Sequence, residues 1–163
     1  MRPRITTEGD AARRRRRSVA AIKESLRELS VQLSLLNHHV GAHLDLRDVD
    51  LDCLDLISRQ GPLSPTALAR SAGLHPATVT GILDRLERRG WVVRERDPAD
   101  RRAVLVRVLP DRGAEVFRLY AGMNASLDEI CADYADDELD QLAAFLRRTT
   151  EAGRAATDVL AGD

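Results

Sequence analysis

The sequence predicts a mainly α-helical chain with one small β-hairpin, and three observations carry that prediction. Apolar residues recur at alternating steps of three and four over much of the length. Between Pro62 and Gly90, two short segments each open on a cap residue followed by proline, and each stops at glycine. Residues 91–109 contain the one clear period-two pattern, interrupted by a polar loop. At 163 residues the chain is about one domain long. With 44% hydrophobic and 31% charged residues it has the composition of a folded chain.

Residues 1–17 show no periodicity and end in five consecutive arginines, so they read as a flexible basic arm. Residues 18–44 place Val19, Ile22, Leu26, Leu29, Leu33, Leu36 and Val40 on one stripe. This is a long amphipathic helix with a narrow, near-heptad seam, of the kind that packs on another helix or another chain. Gly41, Asp45, Leu46 and Arg47 mark its end, giving a first helical region over 18–47. A second helix is expected over 49–60, with Asp48 and Asp50 where a helix start favours negative charge. Its apolar face is read as Val49, Cys53, Leu56, Ile57 and Gln60, which makes Cys53 a small core residue.

Ser64 is a good cap, Pro65 suits the first helical position, and Gly73 is a natural left-handed stop. The pattern then repeats with His75 as cap, Pro76 at the first position and Gly90 as stop. Val79, Ile82, Leu83 and Leu86 give the second of these helices one apolar face. Thr78, Thr80, Arg85, Arg88 and Arg89 leave hydroxyls and cations on the other faces. Two short helices joined through glycine form a helix-turn-helix signature. A hairpin follows, with Val92 and Val93 on one strand and residues 103–109 alternating on the other. Its loop, Asp97-Pro98-Ala99-Asp100-Arg101-Arg102, is too polar to bury. Residues 48–110 therefore read as a winged helix-turn-helix. Residues 111–163 return to helix: Asp111 is the expected cap, and Val116, Tyr120, Met123, Leu127, Ile130 and Tyr134 form one stripe. A final helix carries Leu139, Leu142, Phe145, Leu146, Ala156, Val159 and Leu160.

The net charge of −1 conceals an asymmetry. Residues 1–44 carry 9 basic and 4 acidic side chains, and residues 61–109 carry 9 and 5. Residues 45–60 carry 2 and 5, and residues 110–163 carry 5 and 12. A basic middle and a basic start within an otherwise acidic chain suit a surface that faces a polyanion. The longest uncharged run, residues 29–44, holds three histidines and is too short and polar to span a bilayer. The arginine run lacks the apolar core of a secretion signal behind it. Two cysteines, Cys53 and Cys131, cannot build a disulfide framework, so a reducing cytoplasm is expected. No phosphate-binding glycine loop, nucleophile elbow or paired-carboxylate motif appears, so no enzyme and no cofactor are expected.

The run Leu83-Asp84-Arg85-Leu86-Glu87-Arg88-Arg89-Gly90-Trp91-Val92-Val93-Arg94, with Asp97-Pro98-Ala99-Asp100-Arg101-Arg102-Ala103-Val104 after it, resembles the MarR (multiple antibiotic resistance regulator) family. Asp100 and Arg102 match that family's Asp-x-Arg wing motif. The specific match spans about 64–110 and the helix plan about 18–160. The resemblance implies a cytoplasmic, nucleoid-associated homodimer whose first and last helices interlock. It implies a transcription regulator, most often a repressor, on a pseudo-palindromic operator in double-stranded DNA. It also implies release by a small-molecule effector. Three positions depart from the family pattern: Gly81 where a basic residue is common, His75 for serine, and Pro110 for threonine.

Under this reading the second short helix enters the major groove. Expected DNA-binding residues are Ser64, His75, Ala77, Thr78, Thr80, Arg85 and Arg88, with Arg101 and Arg102 reaching a minor groove from the wing. Thr78 has a second reading as a helix-start residue, and one wing arginine as a partner of Asp100. Arg94 has a structural reading, tying strand to helix. Asn37, His39, His43, Tyr120 and Met123 are expected to line an effector pocket, and the histidines have a second reading as hydrogen-bonded side chains at a helix interface. His39 and His43 share a helix face, with His38 adjacent, but lack a fixed third ligand, so no metal is expected. Two other readings stand beside this one: a nonspecific, nucleoid-type DNA binder, and a winged-helix module that binds an acidic protein.

Overall fold

The computed structural model describes residues 7–100 and 102–161. In order, the elements are α1 (Thr7–His43), α2 (Asp48–Gln60), α3 (Pro65–Ala72), α4 (Pro76–Arg88), β1 (Val92–Arg96), β2 (Val104–Val108), α5 (Pro110–Leu119), α6 (Ala121–Cys131) and α7 (Asp136–Ala161). The contact pattern divides the chain into two compact units, with the boundary between Leu51 and Asp52.

In the first unit, α1 is 37 residues long, and over residues 7–17 it corrects the expectation of a flexible arm at 1–17, of which residues 1–6 lie outside the described residues. From Thr7 onward those residues are helical. Ala11, Ala12 and the arginines at 13–17 are strong helix formers, and the helix behind them supplies the nucleus that an isolated segment would have to form alone. Gly41 does not end α1. It lies inside the helix, where a Cβ would come 3.0 Å from the Leu46 carbonyl oxygen. The chain reverses over it: the Leu46 N–H donates to the Gly41 carbonyl at 2.8 Å, and Asp45 takes a left-handed conformation at φ 55°. Aspartate is one of the few side chains that adopts this region readily. The first turn of α2 follows, with the His38 ring nitrogen Nδ1 3.2 Å from both Asp48 carboxylate oxygens.

The second unit holds the winged core. Ser64 Oγ accepts the Ala67 N–H at 3.2 Å, capping α3 behind Pro65 at its first turn. Gly73, at φ 63°, turns the chain out of α3, and the Leu74 N–H returns to the Ala69 carbonyl at 2.9 Å. α3 packs on α4 and β2, and α4 packs on β1. Leu68, Val79, Ile82, Leu83, Leu86, Trp91, Val92 and Val106 are buried together with Cys53, Leu54 and Ile57 of α2. Cys53 is thus a core residue, as expected. The rest of the α2 face is offset from the sequence reading: Asp50, Leu51 and Leu54 are buried, whereas Val49 and Leu56 are half-buried and Gln60 is exposed.

β1 and β2 pair antiparallel with Val92 opposite Val108 and Arg96 opposite Val104. Leu63 joins as a third, one-residue rung: its N–H donates to Val106 at 3.1 Å and its carbonyl accepts from Val106 at 2.8 Å. After the hairpin, α5 starts at Pro110 with Leu109 in the cap position and no side-chain cap, so Asp111 is a first-turn acid rather than the cap. The single stripe expected from Val116 to Tyr134 is two helices. Tyr120 breaks it, its N–H donating to Phe117 three residues back. Gly122 and Asn124, both weak helix formers, follow directly.

Candidate nucleic-acid interface

The second helix of the helix-turn-helix, α4, buries Val79, Ile82, Leu83 and Leu86. Helical geometry puts Ala77, Gly81, Asp84 and Arg88 along the opposite line, with Thr78 and Arg85 on one flank and Thr80 on the other. The first half of this outer line is therefore made of two very small residues, flanked by hydroxyls, and its second half of a carboxylate and a guanidinium. His75 caps the helix: its Nδ1 accepts the Ala77 N–H at 3.2 Å, which assigns the neutral ring's proton to Nε2. The same exposed side chain thus satisfies the helix end and retains one donor.

The two threonines differ. Thr80 Oγ1 donates to the Pro76 carbonyl at 3.0 Å, so its proton is used within the helix and it presents a methyl group and an acceptor. Thr78 is exposed, and its hydroxyl has no hydrogen bond among the described residues. Arg85 is half-buried and folds back along α4, with Nη1 donating to the Gly81 carbonyl at 3.2 Å. Arg88 is exposed in the last turn. Ser64 is half-buried and is occupied as the α3 cap.

Asp84 and Glu87 would place two negative charges on this helix. Both are bound by one cation from the next element. Arg94 on β1 donates through Nη2 to Asp84 Oδ1 at 2.7 Å and through Nη1 to Glu87 Oε2, while its main-chain N–H reaches Glu87 Oε1 at 3.3 Å. Partial burial opposes the charge on Arg94, but the hydrogen bonds and charges of the two carboxylates outweigh it and raise the guanidinium pKa above the ordinary arginine value. Arg94 thus ties strand to helix, as its structural reading expects.

The wing loop is shaped by its own aspartates. Asp97 Oδ1 accepts the Ala99 N–H at 2.8 Å, and Asp100 Oδ1 accepts the Arg102 N–H at 2.9 Å. The Ala103 N–H closes the turn onto the Asp100 carbonyl at 2.8 Å. These are side-chain-to-main-chain turns of the kind aspartate favours. Asp100 therefore engages the backbone of Arg102, and the Arg102 side chain is exposed with no ion pair among the described residues. Arg101 lies outside the described residues. Lower on the wing, Arg107 Nη2 meets Glu95 Oε1 at 2.6 Å, and this hydrogen bond holds the Glu95 carboxyl below its ordinary pKa. At the base, the Arg112 guanidinium lies 4.7 Å from the centre of the Trp91 ring and donates to the Gly90 carbonyl at 3.3 Å.

Residues 46–104 match the model of the MarR family. Over 125 residues the chain is 30% identical to YcgE of Bacillus subtilis, an uncharacterised HTH-type transcriptional regulator, covering 77% of this chain and 81% of that one. The chain belongs to the MarR family. It is a transcription regulator with a DNA-binding domain, and not an enzyme. It is also 27% identical to the B. subtilis HTH-type transcriptional repressor YetL, over 75% of this chain and 74% of YetL. The solved structure of a MarR family protein from Bacillus stearothermophilus superposes with a TM-score of 0.64 at 22% identity, over 85% of this chain and 97% of that one, which speaks for the fold.

The residues expected to line an effector pocket in this MarR protein fall in both units. Asn37, His39 and His43 lie on α1 in the first, half-buried at Asn37 and exposed at both histidines. Tyr120 and Met123 lie in the second, at the break before α6 and on its first turn. Burial raises the Tyr120 phenol pKa, helped by Asp55 and Asp52 and opposed by Arg59. Among the described residues no three His, Cys, Asp or Glu side chains gather as a metal site. Cys131 is half-buried and unpaired as a thiol.

Proposed function

We propose that this MarR protein is a homodimeric repressor that reads an inverted-repeat operator and is released when a small molecule binds. The observation that carries the reading is the outer face of α4. Ala77 and Gly81 let a helix backbone approach base edges closely, and the Thr78 hydroxyl and the second ring nitrogen of His75 can donate to them. Ala77 and the Thr80 methyl suit a thymine methyl. Ser64, Arg85 and Arg88 supply phosphate contacts, and Arg101 and Arg102 enter the minor groove, where A·T-rich tracts concentrate negative potential. Dimerisation is supported by apolar side chains left exposed at both ends of the chain: Val19, Ile22 and Leu29 on α1, and Leu142, Phe145, Leu146, Val159 and Leu160 on α7. Apolar surface of this extent on a regulator's helices marks an association face. YetL, a relative, is named a repressor. The protein acts in the cytoplasm at the nucleoid, and among the described residues no helix is long and apolar enough to cross a membrane.

Selection of sites from a random duplex library at near-physiological salt tests this reading. An enriched inverted repeat with half-site centres about 10 base pairs apart, or a multiple of that, supports it. Retained DNA without a consensus supports a nonspecific binder instead, and no retention at any salt supports a protein-binding module. Arg102→Ala is expected to lower affinity and reduce the salt slope by about one counterion per subunit. An unchanged slope and affinity in a filter-binding titration would remove Arg102 from the interface. Thr78→Ala is expected to change base preference more than salt dependence, which repeating the selection with the variant measures. Identical enriched sites would show that Thr78 reads nothing.

A further inference from the structure

The arginines at 13–17 stand two turns inside α1, outside the 46–104 segment that the family model matches. All five are exposed. Asp10 is the one carboxylate within four residues of them in sequence. None of the five has an ion pair among the described residues, whereas Arg27, further along the same helix, pairs with Glu24 at 3.6 Å. Arg13, Arg16 and Arg17 also repel one another, because residues three and four apart on a helix are neighbours. A helix carrying this repulsion gains from an external polyanion.

The faces of α1 are unequal. At about 100° per residue, Arg13, Arg16 and Arg17 fall within one arc of about 100°. The apolar seam of Val19, Ile22, Leu26, Leu29, Leu33, Leu36 and Val40 centres on the opposite side of the helix. Arg15 lies over the seam and Arg14 to one flank. When the seam is covered, the three-arginine face points away from whatever covers it. Guanidinium groups so spaced complement a row of phosphates, each able to give a bidentate contact.

We propose that the Arg13, Arg16 and Arg17 face of α1 is a second, sequence-independent phosphate-binding surface that grips duplex DNA beyond the bases read by the winged unit. This rests on the chain's being a DNA binder, and not on its reading an operator.

The test compares the full-length wild type, R13Q/R16Q/R17Q and R14Q/R15Q on a minimal enriched duplex and on the same duplex extended by two helical turns at each end. Circular dichroism verifies that α1 stays helical in both variants. On the extended duplex, the triple variant is expected to lower the slope of log affinity against log salt by about three per subunit. The double variant removes charge from the same segment but from other faces, and is expected to change the slope by less than one. On the minimal duplex the triple variant should match the wild type. An unchanged slope on the extended duplex overturns the proposal, as does an equal loss from both variants or an equal loss on both duplexes. A weakened dimer with an unchanged slope also overturns it, and assigns the face to an acidic segment of a second copy. If selection enriches no consensus, the comparison is made on random-sequence duplexes of the two lengths. There the slope difference persists although operator reading has failed.

Discussion

Leu83→Ala should destabilise the winged unit by about 2–5 kcal/mol, a large part of the 5–15 kcal/mol that typically holds a domain together. Leu83 is fully buried, on the one face of α4 that carries all of its buried side chains. Truncation removes apolar burial and leaves a cavity that α3 and β1, both packed on α4, cannot close without moving. Trp91 is the single tryptophan of the chain and is 4% exposed within the same core, so urea unfolding followed by its fluorescence reports on this unit directly. An unfolding midpoint equal to that of the wild type would place Leu83 outside the cooperative core. The exposed leucine at 146 on α7 is the control, and Leu146→Ala should leave the Trp91 transition in place at a protein concentration that keeps the association state unchanged.

Arg94→Ala should cost stability and DNA binding together. Its side chain is 27% exposed and serves two carboxylates on α4, so a loss of about 1.5–3 kcal/mol is expected from charged hydrogen bonds of this kind. Asp84 and Glu87 would then stand without their cation on the helix proposed to face the duplex. Binding should fall beyond what the lost stability explains, and most steeply at low salt, where repulsion is least screened. Arg94→Lys keeps the charge but offers one nitrogen in place of the two separated ones that reach Glu87 and Asp84, and should recover only part of both losses. Adding Asp84→Asn and Glu87→Gln to Arg94→Ala separates the two effects, because removing the carboxylates restores affinity but not the tie between strand and helix. If Arg94→Ala binds duplex as the wild type does at a temperature where both are folded, the carboxylates have no bearing on DNA.

The helix-turn-helix was legible because its boundaries are decided locally. Ser64 with Pro65 and Gly73, then His75 with Pro76 and Gly90, each act within a few residues, and the caps form as the residue types dictate. The wing was legible for the same reason: alternation sets the strands, and Asp97 and Asp100 shape the loop through neighbouring N–H groups. That Arg94 ties strand to helix was legible, but its partners were not, because Asp84 lies ten residues away in sequence and meets it only after β1 has docked on α4. The offset face of α2 escaped detection too, since Leu51, Leu54 and Leu56 are chemically alike and only packing decides which is buried. At Tyr120, an unbroken step pattern of three and four concealed a single main-chain hydrogen bond that shortens the turn. Thr78 and Thr80 are equivalent in sequence terms, and only the structure shows that one hydroxyl is used by its own helix and the other is not.

The two main-chain bonds between Leu63 and Val106 have a mechanical consequence. Leu63 immediately precedes the Ser64 cap of α3, and Val106 is the middle residue of the second wing strand. The wing is therefore latched at its waist to the residue that starts the helix-turn-helix, as well as at its root to α4. Such a wing cannot swing on the loop after α4 like a flap on one hinge. Tilting it drags the start of α3, and shifting α3 carries the wing tip with it. α4 and the wing tip, the elements proposed to enter the major and minor grooves, then move as two jaws on one frame, with the span between them held by that latch. A duplex whose groove spacing does not match that span must itself deform, so the stiffness of the DNA between the two grooves enters the choice of sequence.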